Sequence, residues 1–175
     1  MTMTEILECI EIETGPSPKS SVIWMHGLGA DGRDFVPIVD ELKLPALAIR
    51  FVFPNAPMRP VTINGGYVMR AWYDIVSTDL ERREDERGLR ESGRQIEALI
   101  AREQSRGSTS ERIVLAGFSQ GGAIALFAGL RFQERLAGIM ALSTYAPMLE
   151  TLIAERHASN AAVPILMAHG TQDPV

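Results

Sequence analysis

The apolar positions of this chain gather into short runs separated by stretches of helical or irregular spacing. Val22–Met25, Leu47–Phe53, Ile113–Ala116, Leu136–Leu142 and Val163–Ala168 are short, apolar and rich in β-formers. That is the pattern of strands buried in a parallel sheet. Ile6–Ile12 alternates loosely between apolar and acidic residues and predicts an edge strand that includes Cys9. Between the strands the period lengthens. Phe35–Leu42 predicts a short helix, with Asp34 as its cap and Pro37 in its first turn. Leu80–Arg106 predicts one long charged helix whose apolar stripe is Leu89, Ile96, Leu99 and Ile100. Its mixed-sign run Glu81–Arg87 predicts a solvated surface. Met148–Arg156 predicts a further helical turn or two. Gly15-Pro16-Ser17-Pro18 predicts a turn. Pro54–Trp72, with Pro57, Pro60 and the pair Gly65-Gly66, predicts a long loop. A loop of that length inside a compact domain is usually functional or mobile.

Strands alternating with helices imply an α/β domain: a mostly parallel sheet with helices on both faces. Sites in such sheets lie beyond the carboxyl ends of the strands. Leu28, Ser119, Tyr145 and Asp173 each fall just after a different strand, so they are expected to converge on one rim. The centre of the pattern is Ile113–Gly129, a buried strand, a sharp turn with Ser119 at its tip, and a helix. Gly117, Ser119 and Gly121 spell G-x-S-x-G, and Gly122 doubles the last glycine. A serine on so tight a turn has strained backbone angles, and neighbours carrying a Cβ would collide with it. The turn lifts the hydroxyl above the sheet, and the helix behind it aims its positive end at the oxygen. The Gln120 amide then points to where an oxyanion would form. The competing reading is a glycine-rich turn with no chemistry.

Composition narrows the field. The chain has 175 residues, enough for one domain with a substantial core, and is 46% hydrophobic and 22% charged. A net charge of −5, with no Lys/Arg block, argues against a nucleic-acid surface. One cysteine excludes an internal disulfide and a multi-cysteine metal site. The first twenty residues carry Glu5, Glu8, Glu11 and Glu13 and no apolar segment of signal-peptide type, and no run reaches membrane-spanning length. These features favour a cytoplasmic location. There are no internal repeats and no linker.

Gly27, Gly29 and Gly32 also spell G-x-G-x-x-G after a strand, which raises dinucleotide binding. That reading expects a helix starting within the glycines and an acid at the end of the next strand, about 20 residues on. The next strand ends instead in Pro54-Asn55. The rival reading makes the Leu28 amide a second oxyanion donor beside that of Gln120, such a donor being worth ~2.7–4 kcal/mol of barrier.

The set His26-Gly27-Leu28-Gly29-Ala30-Asp31-Gly32, Pro54-Asn55-Ala56-Pro57, Val61-Thr62-Ile63-Asn64-Gly65-Gly66, Trp72-Tyr73-Asp74, Gly117-Phe118-Ser119-Gln120-Gly121-Gly122, Leu142-Ser143-Thr144-Tyr145 and His169-Gly170-Thr171-Gln172-Asp173-Pro174-Val175 resembles the phospholipase/carboxylesterase family. This is the α/β-hydrolase group that contains bacterial carboxylesterases and the acyl-protein thioesterases. Val61–Gly66 and Ser143-Thr144-Tyr145 resemble the bacterial esterase branch. The resemblance implies an α/β-hydrolase fold, Ser119 as nucleophile, Asp173 as the triad acid, and the amides of Leu28 and Gln120 as the oxyanion hole. It implies hydrolysis of carboxylic esters or thioesters, with no metal and no organic cofactor. The acyl group is expected along the Pro54–Trp72 loop, with Met58, Trp72, Tyr145 and Met148 as lining candidates. Core packing is the competing role for Met58, Tyr145 and Met148, and loop anchoring is the competing role for Trp72.

The resemblance also implies a departure. The triad of this fold runs Ser, Asp, His, yet His26, His157 and His169 all precede Asp173. His26 and His169 sit in glycine turns and are expected to have hydrogen-bonding roles. Losing the histidine of such a triad costs about 10⁶ in kcat. A final strand, loop and helix would add roughly 30–45 residues. The expectation is therefore a single domain over 1–175 that is incomplete at its C-terminus and lacks the last strand and helix of the fold. Its last strand would then be an open edge, which favours pairing of two copies as a homodimer. The alternative to an active esterase is a catalytically dead or acyl-binding fragment of one.

Overall fold

The computed structural model describes residues 6–76 and 84–173. Its strands are β1 (Cys9–Glu13), β2 (Ser20–Met25), β3 (Ile49–Pro54), β4 (Met58–Val61), β5 (Tyr67–Arg70), β6 (Ile113–Phe118), β7 (Gly138–Leu142) and β8 (Ile165–Ala168). Six of them form one sheet in the order β1-β3-β2-β6-β7-β8, and β4 and β5 pair separately. Within the six-stranded sheet only β1 runs antiparallel, against β3 at one edge. The parallel register aligns Met25 with Gly117, Phe118 with Leu142, and Leu142 with Ala168. The carboxyl ends of β2, β6, β7 and β8 therefore finish level, and the residues that follow them share one rim.

The two faces are covered by different elements, because strand side chains alternate. One face packs against α2 (Glu86–Ser105) and α3 (Gln120–Arg131). The stripe Leu89, Ile96, Leu99 and Ile100 is fully buried there, with Ile23, Met25, Leu115 and Phe127. Burying a side chain of that size contributes about 1.5–3 kcal/mol. The other face carries a 3-10 turn, Gly32–Phe35, and α1 (Ile38–Glu41) over Trp24, Phe51 and Phe53, with Trp24 and Phe35 stacked at 5.2 Å. At the far edge all four residues of β8 are exposed. The short helix α4 (Leu149–Glu155) falls where the sequence predicts helical turns.

Three predicted elements differ. The helix over Phe35–Leu42 is split at Val36 and Pro37: Asp31 caps the 3-10 turn, its carboxylate accepting from the Arg33 amide at 2.7 Å, and α1 follows Pro37 without a side-chain cap. The Pro54–Trp72 loop contains the β4–β5 hairpin; its turn is possible because Gly65 and Gly66 take φ of 67° and 79°. The long helix begins at Glu86, where the Asp85 side chain caps it by accepting from the Gly88 amide at 2.9 Å. Residues 80–83 of that expected helix lie outside the described residues.

At the amino ends of the strands Glu103 is fully buried. Its carboxylate accepts from Ser21 Oγ at 2.7 Å, Arg50 Nη1 at 2.9 Å and Arg106 Nη1 at 3.0 Å. Burial alone would raise its pKa, but the bonds from Ser21 and Arg50 and the Arg106 charge outweigh it, and the net shift is downward.

Candidate active site

Ser119 joins β6 to α3 with φ 52° and ψ −120°, a left-handed conformation that a residue with a Cβ rarely adopts. Three glycines make the turn possible. A Cβ on Gly117 would lie 2.2 Å from Gly121 C, and one on Gly121 would lie 2.3 Å from Met25 O and 2.5 Å from His26 O. One on Gly122 would lie 2.7 Å from Thr144 Cγ2. Each is a collision, so α3 approaches β2 and β6 as closely as it does only because these positions are bare. The elbow is held from outside as well: the Ser119 amide donates to Leu142 O at 2.8 Å, and Thr144 Oγ donates to Ser119 O at 2.7 Å. The residue is half-buried and sits over the positive end of α3.

The second turn of the rim is Gly27–Ala30. Gly27 O accepts from His26 Nδ1 at 2.7 Å and from the Ala30 amide at 3.2 Å, while the Gly29 amide donates to Arg70 O at 2.9 Å. Among the described residues the Leu28 amide makes no main-chain hydrogen bond. The Gln120 amide, first in α3, is one of those that a helix leaves unpaired. The glycines open only the 3-10 turn Gly32–Phe35, and α1 begins later, at Ile38. Gly32 is pressed against Phe53, and its amide donates to Asn55 Oδ1 at 2.8 Å. The place where a dinucleotide fold keeps its ribose acid is thus taken by an amide already in use.

Both turns are tied to Trp72. Its amide donates to Gln120 Oε1 at 2.8 Å, its indole Nε1 donates to His26 O at 2.9 Å, and its carbonyl accepts from Ser92 Oγ. Gln120 Nε2 donates to Tyr73 O at 2.7 Å. Trp72 has no exposed surface, so it anchors the loop and offers no wall to a substrate. Tyr145 is half-buried with its hydroxyl 2.8 Å from that of Tyr73, whose own pKa is pushed well above the usual phenol value by burial. Met148 packs on the core, and its amide donates to Glu84 Oε2 at 2.5 Å. Met58 is 59% exposed on the hairpin.

Asp173 follows β8 in a tight turn, half-buried, with its amide on Gly170 O at 3.0 Å and its Oδ2 3.7 Å from His169 Nε2. His26 is fully buried with both ring nitrogens engaged, because its Nε2 accepts from the Ala56 amide at 3.0 Å. Burial lowers its pKa. His157 is exposed, and its Nδ1 accepts from the Ser159 amide at 3.2 Å. The sequence pattern alone does not reveal the clamp made by the Gln120 side chain or the two-ended fixing of His26. The only signal for the second is a histidine at the end of a buried strand. Among the described residues no three His, Cys, Asp or Glu side chains are placed to hold a metal, and no helix is long and apolar enough to cross a membrane.

A serine on a glycine-cleared bend between a central parallel strand and a buried helix, with a glycine turn from the neighbouring strand beside it, defines an α/β-hydrolase. The chain belongs to the phospholipase/carboxylesterase family, whose profile matches residues 7–175. It is 38% identical over 173 residues to acyl-protein thioesterase 1 of Schizosaccharomyces pombe, covering 99% of this chain and 77% of that protein. It is 35% identical over 169 residues to acyl-protein thioesterase 1 of Yarrowia lipolytica, covering 95% and 74%. Among solved structures it is similar to Arabidopsis thaliana SOBER1, with a TM-score of 0.82 at 33% identity, covering 87% of this chain and 74% of that one.

Proposed function

We propose that Ser119 is the nucleophile of an acyl hydrolase that works through an acyl-serine intermediate. The observation that carries this is the left-handed Ser119 at φ 52° between β6 and α3, strain that a merely structural turn would relieve with glycine. The serine oxygen attacks the carbonyl carbon of an ester or thioester, and the amides of Leu28 and Gln120 take the developing oxyanion. The alcohol or thiol leaves, and water then releases the acid. No metal or organic cofactor enters these steps. The thioesterase relatives support acyl thioesters on proteins as substrates beside simple carboxylic esters.

The base is a histidine oriented by Asp173. His26 has both nitrogens committed, His157 caps its own turn, and His169, 3.7 Å from Asp173, precedes that acid in the chain. The order the fold uses places the base after the acid, and the three histidines of these 175 residues all precede Asp173. The same observation favours a second reading for the 175 residues alone, an acyl-binding domain without turnover. Fluorophosphonate labelling separates the two, because rapid labelling requires a base at Ser119. The central test is hydrolysis of p-nitrophenyl esters of short to medium acids by the intact protein. Ser119→Ala is expected to abolish it, and unchanged turnover in that variant overturns the assignment.

A further inference from the structure

We propose that His26 is a positioning residue of the oxyanion hole, its Nδ1–H holding the Gly27 carbonyl so that the Leu28 amide faces the serine. The inference rests on the reading of Leu28 as an oxyanion donor. Gly27 C=O and Leu28 N–H belong to one planar trans peptide and point in opposite directions. Whatever fixes the carbonyl therefore fixes the donor. The carbonyl accepts from His26 Nδ1 at 2.7 Å and from the Ala30 amide at 3.2 Å. Without the imidazole the longer bond alone, among the described residues, holds the Gly27 carbonyl, and a rotated peptide presents its oxygen to the oxyanion in place of its proton.

The imidazole is itself fixed in one form. A carbonyl can only accept, so Nδ1 carries the proton. Nε2 accepts from the Ala56 amide at 3.0 Å and so carries none. Full burial favours this neutral ring. The restraint then closes on itself. Ala56 O accepts from Arg70 Nη1 at 3.0 Å, and Arg70 O accepts from the Gly29 amide at 2.9 Å. The turn that carries Leu28 is thus tied at Gly27 and at Gly29 into one ring of contacts passing through His26, Ala56 and Arg70. The Trp72 indole fixes the His26 carbonyl from the other side, with the two rings 5.4 Å apart.

Two substitutions separate positioning from packing. His26→Asn keeps an N–H near the Nδ1 position and loses the acceptor toward Ala56. His26→Gln reaches toward Ala56 with an acceptor and leaves Gly27 without its donor. The readouts are the rate of fluorophosphonate labelling at Ser119, kcat and KM on a p-nitrophenyl ester, and the melting temperature. His26→Gln is expected to lower labelling and kcat by about 10²–10³-fold with KM unchanged. His26→Asn is expected to recover most of that loss, although both variants melt lower than the parent. Equal losses in the two variants, or a parental rate in His26→Gln, overturn the proposal. If neither variant folds, ¹⁵N NMR of the parent decides: a bare Nδ1 and a protonated Nε2 overturn it, and the reverse supports it. Labelling that persists in Ser119→Ala defeats the hydrolase reading and this proposal together. Labelling lost in Ser119→Ala but intact in His26→Gln defeats only the positioning role.

Discussion

Replacing Ser119 by glycine is expected to stabilise the fold while removing its chemistry. The serine holds φ 52° and ψ −120°, and a residue kept in so sparsely populated a region costs about 1–3 kcal/mol. Glycine adopts positive φ without that cost but loses about 0.5–1 kcal/mol more chain entropy on folding. The difference leaves a net gain of about 0–2.5 kcal/mol. In a chain of this length 1 kcal/mol moves the melting temperature by about 2–4 °C. Ser119→Gly is therefore expected to melt up to about 10 °C above the parent in a calorimetric scan. Ser119→Ala is the control, because it removes the same hydroxyl and keeps the Cβ that causes the strain. The quantity to read is the difference between the two variants. If Ser119→Gly melts no higher than Ser119→Ala, the elbow stores no backbone strain and the reasoning from its angles fails.

Glu103→Gln is expected to cost about 1.5–3 kcal/mol, because it weakens the charged hydrogen bonds to the buried Arg50 and leaves it Glu13 as its carboxylate partner. Glu155→Gln, on the exposed Arg90 and Arg131 pairs, is expected to cost about 0–1 kcal/mol in the same denaturant titration. The Glu103 pKa is lowered on folding. Its contribution is therefore full above the ordinary carboxylate value and is lost as pH falls through the folded value. The gap between parent and Glu103→Gln should hold at neutral pH and close below about pH 4; a gap that widens in acid contradicts this. Burial pushes the Cys9 thiol up to about 11, so a disulfide reagent at neutral pH is expected to react slowly with native protein and fully after unfolding. Rapid reaction of the native thiol would count against the half-buried placement.

The rim was legible in the sequence because its signals are local. Apolar runs ending in glycine turns fix both the strand ends and the elbow, and Gly117 is needed by its contact with Gly121, within the motif itself. What escaped depends on partners distant in the chain. Asp31 and Asp34 are equally good caps by composition, and only the bend at Val36 and Pro37 selects the first. The β4–β5 strands have four residues each, and Pro60 sits inside one of them; alternation over so few positions is hidden by the surrounding prolines and glycines. Gly65-Gly66 between two apolar runs was the available hairpin signal. The Gln120 side chain could not be read at all. Its partners are the main-chain atoms of Trp72 and Tyr73, 48 and 47 residues away, and main-chain atoms leave no trace in a pattern of side chains.

The way Trp72 is tied divides the Pro54–Trp72 segment into two zones for protein engineering. Ala71 donates to Pro57 O at 3.1 Å, and everything from there to Trp72 belongs to the frame of the reaction centre. Among the described residues the tip at residues 62–66 is tethered at its base, where Thr62 bonds to Asp74 and the Ile63 amide to Ile75 O at 2.9 Å, and by Asn64 Nδ2 on Met69 Sδ at 3.6 Å. A library of exchanged tips can thus vary what the rim admits as a replaceable cassette, with the two amides beneath it undisturbed.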